Sequence, residues 1–301
     1  MEGSLLQILL DLKTTPFNLD YTLDCGQVFR WEKRGDCWYG VVQETIIILR
    51  QDHDKLVFTI FPENKGIDFV ESYLRLNDSL PQIVSEIDKD LTIRKAVAAL
   101  YGLRITRQDP WECLISYMCA TFSNISRIKG MIRNLSRKFG KELLYDGLKF
   151  YTFPSTEALA KATLRELYDC GLGFRAKYVH ETSKMIMDLD LNVETLRRLV
   201  YNEAKKQLLG FPGIGPKVAD CVLLFSLDKL EAFPVDVWIR RILHKYYYRH
   251  FSDSGLRTRE GFTSGQYEQI CAFGKSYFGK YAGYAQEYLF HYYRLNKTSE
   301  K

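Results

Sequence analysis

The sequence predicts an α+β fold, an N-terminal antiparallel β-sheet packed on an all-helical body, and three observations predict it. β-Branched and aromatic segments separated by turns fill about the first sixty residues. Apolar residues at three- and four-residue spacing fill most of the rest. Late in the chain a glycine-rich hairpin joins two of the helices. At 301 residues there is length enough for two compact units. The expected division falls near residue 100, with a sheet unit over 1–100 and a helical unit over 101–301.

Residues 27–31, 38–42, 45–50 and 56–61 have the side chains that fit a pleated, half-buried surface. Lys33-Arg34-Gly35-Asp36 and Gln51-Asp52-His53-Asp54 supply turns, so the strands should form a meander. Pro62 and Gly66 close it, and a helical pattern opens over 67–76. From about Leu91 the helical spacing predicts helices over 111–119, 124–139, 164–172, 175–187 and 193–199. Asp109-Pro110 is a capping residue followed by a proline at the first helical position, and Gly171-Leu172-Gly173 is a stop. Residues 296–301 are expected to fray.

Composition narrows the class without deciding it. Hydrophobic residues make up 46% and charged residues 26%, an ordinary globular balance, and a net charge of +5 permits a polyanionic partner. Seven cysteines are irregularly spaced with no CxxC pair, which argues against zinc, redox or disulfide frameworks. No cluster of four lies near the C-terminus, so ligand count excludes an iron–sulfur centre there. Met1-Glu2-Gly3-Ser4 lacks the basic flank of a secretory signal, and no apolar run approaches the roughly 20 residues that cross a bilayer. The expectation is a reduced intracellular protein with no membrane partner, in the cytoplasm of a prokaryote or the nucleus of a eukaryote.

The chemistry concentrates in residues 208–241, with the two-helix hairpin unit over about 204–227. Gly210, Gly213 and Gly215 allow a left-handed backbone and let main-chain N–H groups approach a phosphate. Pro216 starts the second helix, whose N-terminus also favours an anion. A tight turn with no ligand is the plainer alternative. Lys217 lies in the first turn, where the helix dipole disfavours an ammonium and favours a nucleophilic amine. Asp220 and Cys221, three and four residues on, can share its face; Cys221 alone reads as a small buried hydrophobe. Asp236 precedes an apolar helical run. It can cap that helix, and several N–H donors are expected to hold its pKa low and keep it ionised beside a reacting sugar. Near the end, Gln286 and Phe290 stand four apart on one helical face, an amide and a ring suited to a flipped purine, although core aromatic packing would explain the ring.

Taken together these segments resemble the helix-hairpin-helix DNA glycosylases. Lys217, Val218-Ala219-Asp220-Cys221 and Pro234-Val235-Asp236 are similar to the 8-oxoguanine DNA glycosylase/AP lyase branch. The residues from Gly26 to Trp31 look like that family's N-terminal strand motif, whose glycine carbonyl reads the N–H that marks oxidised guanine. Residues 108–113, 171–178 and 282–286 with Phe290 resemble its other landmarks in the same order.

The resemblance implies excision of oxidised guanine from damaged double-stranded DNA. Lys217 would be the nucleophile and Asp236 its partner carboxylate; Gly26, Cys221, Pro234, Gln286 and Phe290 would form the base pocket, with no metal or organic cofactor and a monomeric enzyme. Gly213 and Gly215 would grip phosphate. Phe122 stands where animal members place a gap-filling asparagine, and Arg127 aligns with an arginine that reads the orphaned cytosine. Phe174-Arg175 occupies the opposite wedge, and Trp238 replaces a phosphate-contacting histidine. The rivals are a monofunctional alkylated-base glycosylase, which lacks the lysine, and a DNA-binding module without catalysis.

Overall fold

Five antiparallel strands build the N-terminal sheet of the computed structural model, which describes residues 7–251 and 263–298. They are β1 (Ile8–Asp11), β2 (Trp31–Arg34), β3 (Cys37–Val42), β4 (Thr45–Asp52) and β5 (Lys55–Phe61), lying in the order β1-β5-β4-β3-β2. The β2–β5 meander follows from β-branched and aromatic segments separated by turn residues. Trp38 faces Leu49 and Leu49 faces Phe58 across the ladder, and all three are buried. Trp31 lies flat over Gly40, where a Cβ would come within 2.5 Å of its ring. Its Nε1 donates to the hydroxyl of Tyr73 on α2 (Ile67–Tyr73) at 2.7 Å.

One local expectation fails at the sheet's edge. Residues 27–30 are not a strand, and β2 starts only at Trp31. The reason is Gln27, which is 1% exposed and used like an extra peptide unit. Its Nε2 donates to Thr22 O at 2.9 Å and Arg104 O at 2.8 Å, while its Oε1 accepts from Thr106 N at 2.8 Å. Gly26 precedes it at φ +101°, so the chain turns instead of extending. The short α1 (Leu19–Asp24) and the edge strand β1 were not expected either.

The helical body comprises α3 (Leu80–Ile87), α4 (Leu91–Ala99), α5 (Pro110–Cys119), α6 (Ile125–Phe139), α7 (Thr156–Lys161), α8 (Leu164–Asp169), α9 (Arg175–Asp188), α10 (Tyr201–Leu208), α11 (Pro216–Ser226), α12 (Val237–Tyr246), α13 (Ser264–Phe278) and α14 (Ala282–Thr298). A two-stranded hairpin, β6 (Glu142–Tyr145) and β7 (Leu148–Tyr151), interrupts it, and Val193–Arg198 is a 3₁₀ turn. Where the sequence divides the chain near residue 100, the buried residues of α3 and α4 already lie in the helical core, and the sheet's core ends at Leu76. Residues 296–298 continue α14 rather than fraying, and 299–301 lie outside the described residues, as do 1–6. α14 packs against α3, α4 and α12, and α11 packs against α5 and α10. Among the described residues no helix is long and apolar enough to cross a membrane.

Candidate active site

Lys217 stands in the first turn of α11, behind a hairpin whose geometry its glycines decide. Gly213 has φ +77°, and a Cβ there would sit 2.5 Å from Tyr178 Cγ. Gly215 is the N-cap of α11 and offers no side-chain cap to the first N–H groups of this helix. Pro216 fills the first helical position, where no N–H is needed. The Lys217 ammonium lies 5.1 Å from the centroid of the Tyr117 ring, which itself stacks on Phe225 at 5.4 Å.

Asp236 caps α12: its Oδ1 accepts from Trp238 N at 2.9 Å and Ile239 N at 2.8 Å. The expectation that these donors hold its pKa low is not met. Burial raises the carboxyl above its ordinary range, and the two N–H bonds and nearby Lys217 only partly offset that rise. An aspartate poised this way exchanges protons more readily than a strongly acidic one. Asp220 also departs from expectation. It is fully buried and turned toward α10 and α13, where it accepts from Tyr201 at 2.5 Å, Lys205 at 3.1 Å and Tyr267 at 2.8 Å. Tyr267 in turn accepts from Val235 N at 3.3 Å, one residue before Asp236. Asp220 thus braces the loop that carries Asp236 instead of sharing a face with Lys217.

A cleft of about 1000 Å³ opens over this pair. Its walls include Gly26, Tyr117, Phe122, Gly213, Gly215, Lys217, Cys221, Pro234, Asp236, Trp238, Gln286 and Phe290. Residues more than 250 positions apart in the chain therefore meet in one cavity. Burial pushes the Cys221 thiol up to about 12, so it is a neutral wall group. Gln286 is 5% exposed and its Oε1 has no partner. Glu287, which the sequence reading passed over, lines the same cleft.

At the rim, Phe122 is 90% exposed and held at φ +50°, an uncommon backbone for a residue other than glycine. Phe174 is 52% exposed, with its ring 6.5 Å from that of Phe122. Arg127 is exposed near the start of α6, outside the cleft wall. Arg175 corrects the expectation that it forms half of an exposed wedge. It is 6% exposed, and its guanidinium donates to the carbonyls of Thr121 (Nε, 2.9 Å; also Nη2), Leu172 (3.2 Å) and Phe122 (3.2 Å). It holds the Phe122 loop from beneath. Trp238 lies beside Tyr293, ring centroids 6.4 Å apart.

An antiparallel sheet, a helical body and a glycine hairpin followed by a capping aspartate define a base-excision glycosylase of the helix-hairpin-helix class. Residues 115–262 match the family described as HhH-GPD superfamily base excision DNA repair protein, and residues 9–114 match 8-oxoguanine DNA glycosylase, N-terminal domain. The N-glycosylase/DNA lyase OGG1 of Arabidopsis thaliana is 32% identical over 294 residues, covering 93% of this chain and 78% of that protein. The N-glycosylase/DNA lyase of Saccharomyces cerevisiae is 33% identical over 75% of this chain and 67% of its own. Among solved structures, the 8-oxoguanine glycosylase/lyase of Clostridium acetobutylicum, in complex with double-stranded DNA containing cytosine opposite to 8-oxoG, superposes with a TM-score of 0.84. It is 34% identical, and the match covers 94% of this chain and 93% of that one. The chain belongs to the 8-oxoguanine DNA glycosylase/AP lyase family.

Proposed function

We propose that this protein removes 8-oxoguanine from duplex DNA and then cleaves the strand at the resulting site. The observation that carries this reading is the convergence of Lys217, Asp236, Gly26, Gln286 and Phe290 on one cleft. The lesion nucleotide enters it flipped, with Gln286 on the edge of the base, Phe290 on its face, and Gly26, Cys221 and Pro234 as walls. Asp236 takes a proton from Lys217, whose Nζ attacks the anomeric carbon. The C1′–N9 bond breaks with its electron pair leaving on the base, and the sugar opens to an imine on Lys217. A proton removed from C2′ then expels the 3′ phosphate by β-elimination.

The backbone N–H groups at Gly213, Gly215 and the start of α11 grip a phosphate. Phe122 and Phe174 enter the space left in the duplex, and Arg127 meets the orphaned base. The protein would act where the DNA is, in a eukaryotic nucleus or a prokaryotic cytoplasm. Borohydride trapping on an 8-oxoguanine duplex tests the reading. A covalent adduct is expected, and Lys217→Gln should abolish both adduct and excision while lesion binding survives. Undiminished excision by that variant would rule out the nucleophile.

A further inference from the structure

Two buried acceptor oxygens at the cleft have no hydrogen-bond partner, and they belong to consecutive residues of α14. Gln286 Oε1 is one and Glu287 Oε1 is the other. Glu287 is 3% exposed, lines the cleft, and has no part in the chemistry given to Lys217 and Asp236. Buried polar atoms are nearly always paired, so an orphaned carboxyl oxygen at a cavity wall marks a place where something else supplies the donor. The titratable groups around it are Cys25, Tyr117 of α5, Lys217, Asp236, and Arg294 with His291 one turn further along α14. Arg294 is engaged with Asp24 O and with His291.

Resting on the reading of this cleft as the base pocket, we propose that Glu287 reads the flipped base. Its carboxylate, together with the Gln286 amide oxygen, accepts the N1–H and N2–H donors of an oxidised guanine. Only a guanine-type base presents adjacent N–H donors along that edge, whereas adenine presents an acceptor at N1 beside the N6 amino group. An ionised carboxylate has no donor for that acceptor and rejects it. A neutral carboxylic acid, with one O–H and one C=O, would pair with either base. Selectivity therefore depends on ionisation. Burial pushes Glu287 up to about 7, with the Cys25 hydrogen bond and Arg294 pulling the other way. Donors from a bound guanine favour the charged form and release the proton.

The test is single-turnover excision of 8-oxoguanine and of 8-oxoadenine, each opposite cytosine, at pH 6 to 8. Strand cleavage at a preformed abasic site, which has no base to read, is measured alongside. The guanine-to-adenine rate ratio of the unmodified protein should rise roughly tenfold with pH, the scale of one hydrogen bond to a charged group. Glu287→Gln should show a lower ratio that no longer changes with pH. Glu287→Leu should lose at least about tenfold in 8-oxoguanine excision and keep abasic cleavage within about twofold. A pH-independent ratio in the unmodified protein overturns the proposal. So does a Glu287→Leu variant that excises like the unmodified protein, or one that loses abasic cleavage in parallel. If the unmodified protein cleaves abasic DNA but releases no 8-oxoguanine, the substrate reading fails, and this inference with it.

Discussion

Replacing Arg175 with Met separates a buried clamp from a surface contact. The guanidinium donates to three carbonyls, of Thr121, Leu172 and Phe122, and stacks 4.4 Å over the Phe174 ring. Methionine keeps much of the volume and none of the donors. A hydrogen bond from a charged donor contributes about 1.5–3 kcal/mol, but water can reach the Thr121 and Phe122 carbonyls once the loop relaxes. Only Leu172 O is left without solvent, keeping the backbone N–H of residue 175 at 3.3 Å, and release of Phe122 from its positive φ returns about 1 kcal/mol. The expected net loss is about 0.5–2 kcal/mol, measured by urea unfolding at neutral pH. Chymotrypsin should nick the variant after Phe122 faster than the unmodified protein, and excision should slow because the tip is no longer held in place. Unchanged stability together with weakened DNA affinity and a shallower salt dependence would refute the clamp. That pattern would restore Arg175 to a direct phosphate contact.

Four other substitutions test the site. Asp236→Asn keeps a capping oxygen and removes the charge, so excision should fall about 10²-fold with the helix intact. Because burial raises the pKa of Asp236, its folded-state advantage is present below the unfolded carboxyl range and lost as pH rises through the raised value. The variant's stability relative to the unmodified protein should thus grow with pH, and an opposite slope in urea titrations would reverse the assigned direction. Phe122→Asn should sharpen the preference for cytosine opposite the lesion and Arg127→Ala should flatten it, read as excision rates against all four opposing bases. Gly213→Ala places a Cβ against Tyr178 at a left-handed backbone position, so duplex affinity should drop and stability should fall by about 1–3 kcal/mol.

Local periodicity revealed the parts of the fold that depend on local pattern. β3, β4 and β5 were legible because β-branched and aromatic residues fill them between turn signals, and α5, α6 and α9 because their apolar residues recur at helical spacing. The β6–β7 hairpin was overlooked although its signal is present: Asp146-Gly147, both at positive φ, is the residue pair a tight hairpin turn requires. Residues 27–30 misled because a β-rich composition does not reveal that the Gln27 side chain will occupy the backbone's partners. The placement of Lys217 in the first turn of α11 and of Asp236 as the cap of α12 was legible from helix-start signals. Glu287 was not, since nothing in a tyrosine-rich helix distinguishes a buried carboxyl from a solvated one. Arg175 was misplaced for the converse reason, as arginines at helix starts are usually exposed and its carbonyl partners lie mostly more than fifty residues away.

A row of aromatic rings connects the two devices that would hold DNA. Gly213 of the hairpin packs against Tyr178, Tyr178 meets Phe174 edge-on at 6.5 Å, and Phe174 meets Phe122 at 6.5 Å. Arg175 fastens the far end by bonding the Phe122 loop while covering the Phe174 ring. Phe122 and Phe174 are exposed, so these are surface ring contacts, and the Arg175 bonds to the Thr121 and Phe122 carbonyls hold the row in place. The separation between hairpin amides and Phe122 therefore depends on α9, whose Tyr178 meets the hairpin and whose Arg175 bonds the Phe122 loop. If the hairpin grips a phosphate and Phe122 enters the stack, as proposed, gripping one fixes where the other enters. The glycine at 213 then has two causes, a phosphate that needs a bare backbone and a tyrosine that leaves no room for a Cβ. Only the first could be read from the sequence, because the second depends on Tyr178, thirty-five positions earlier, arriving at the same place.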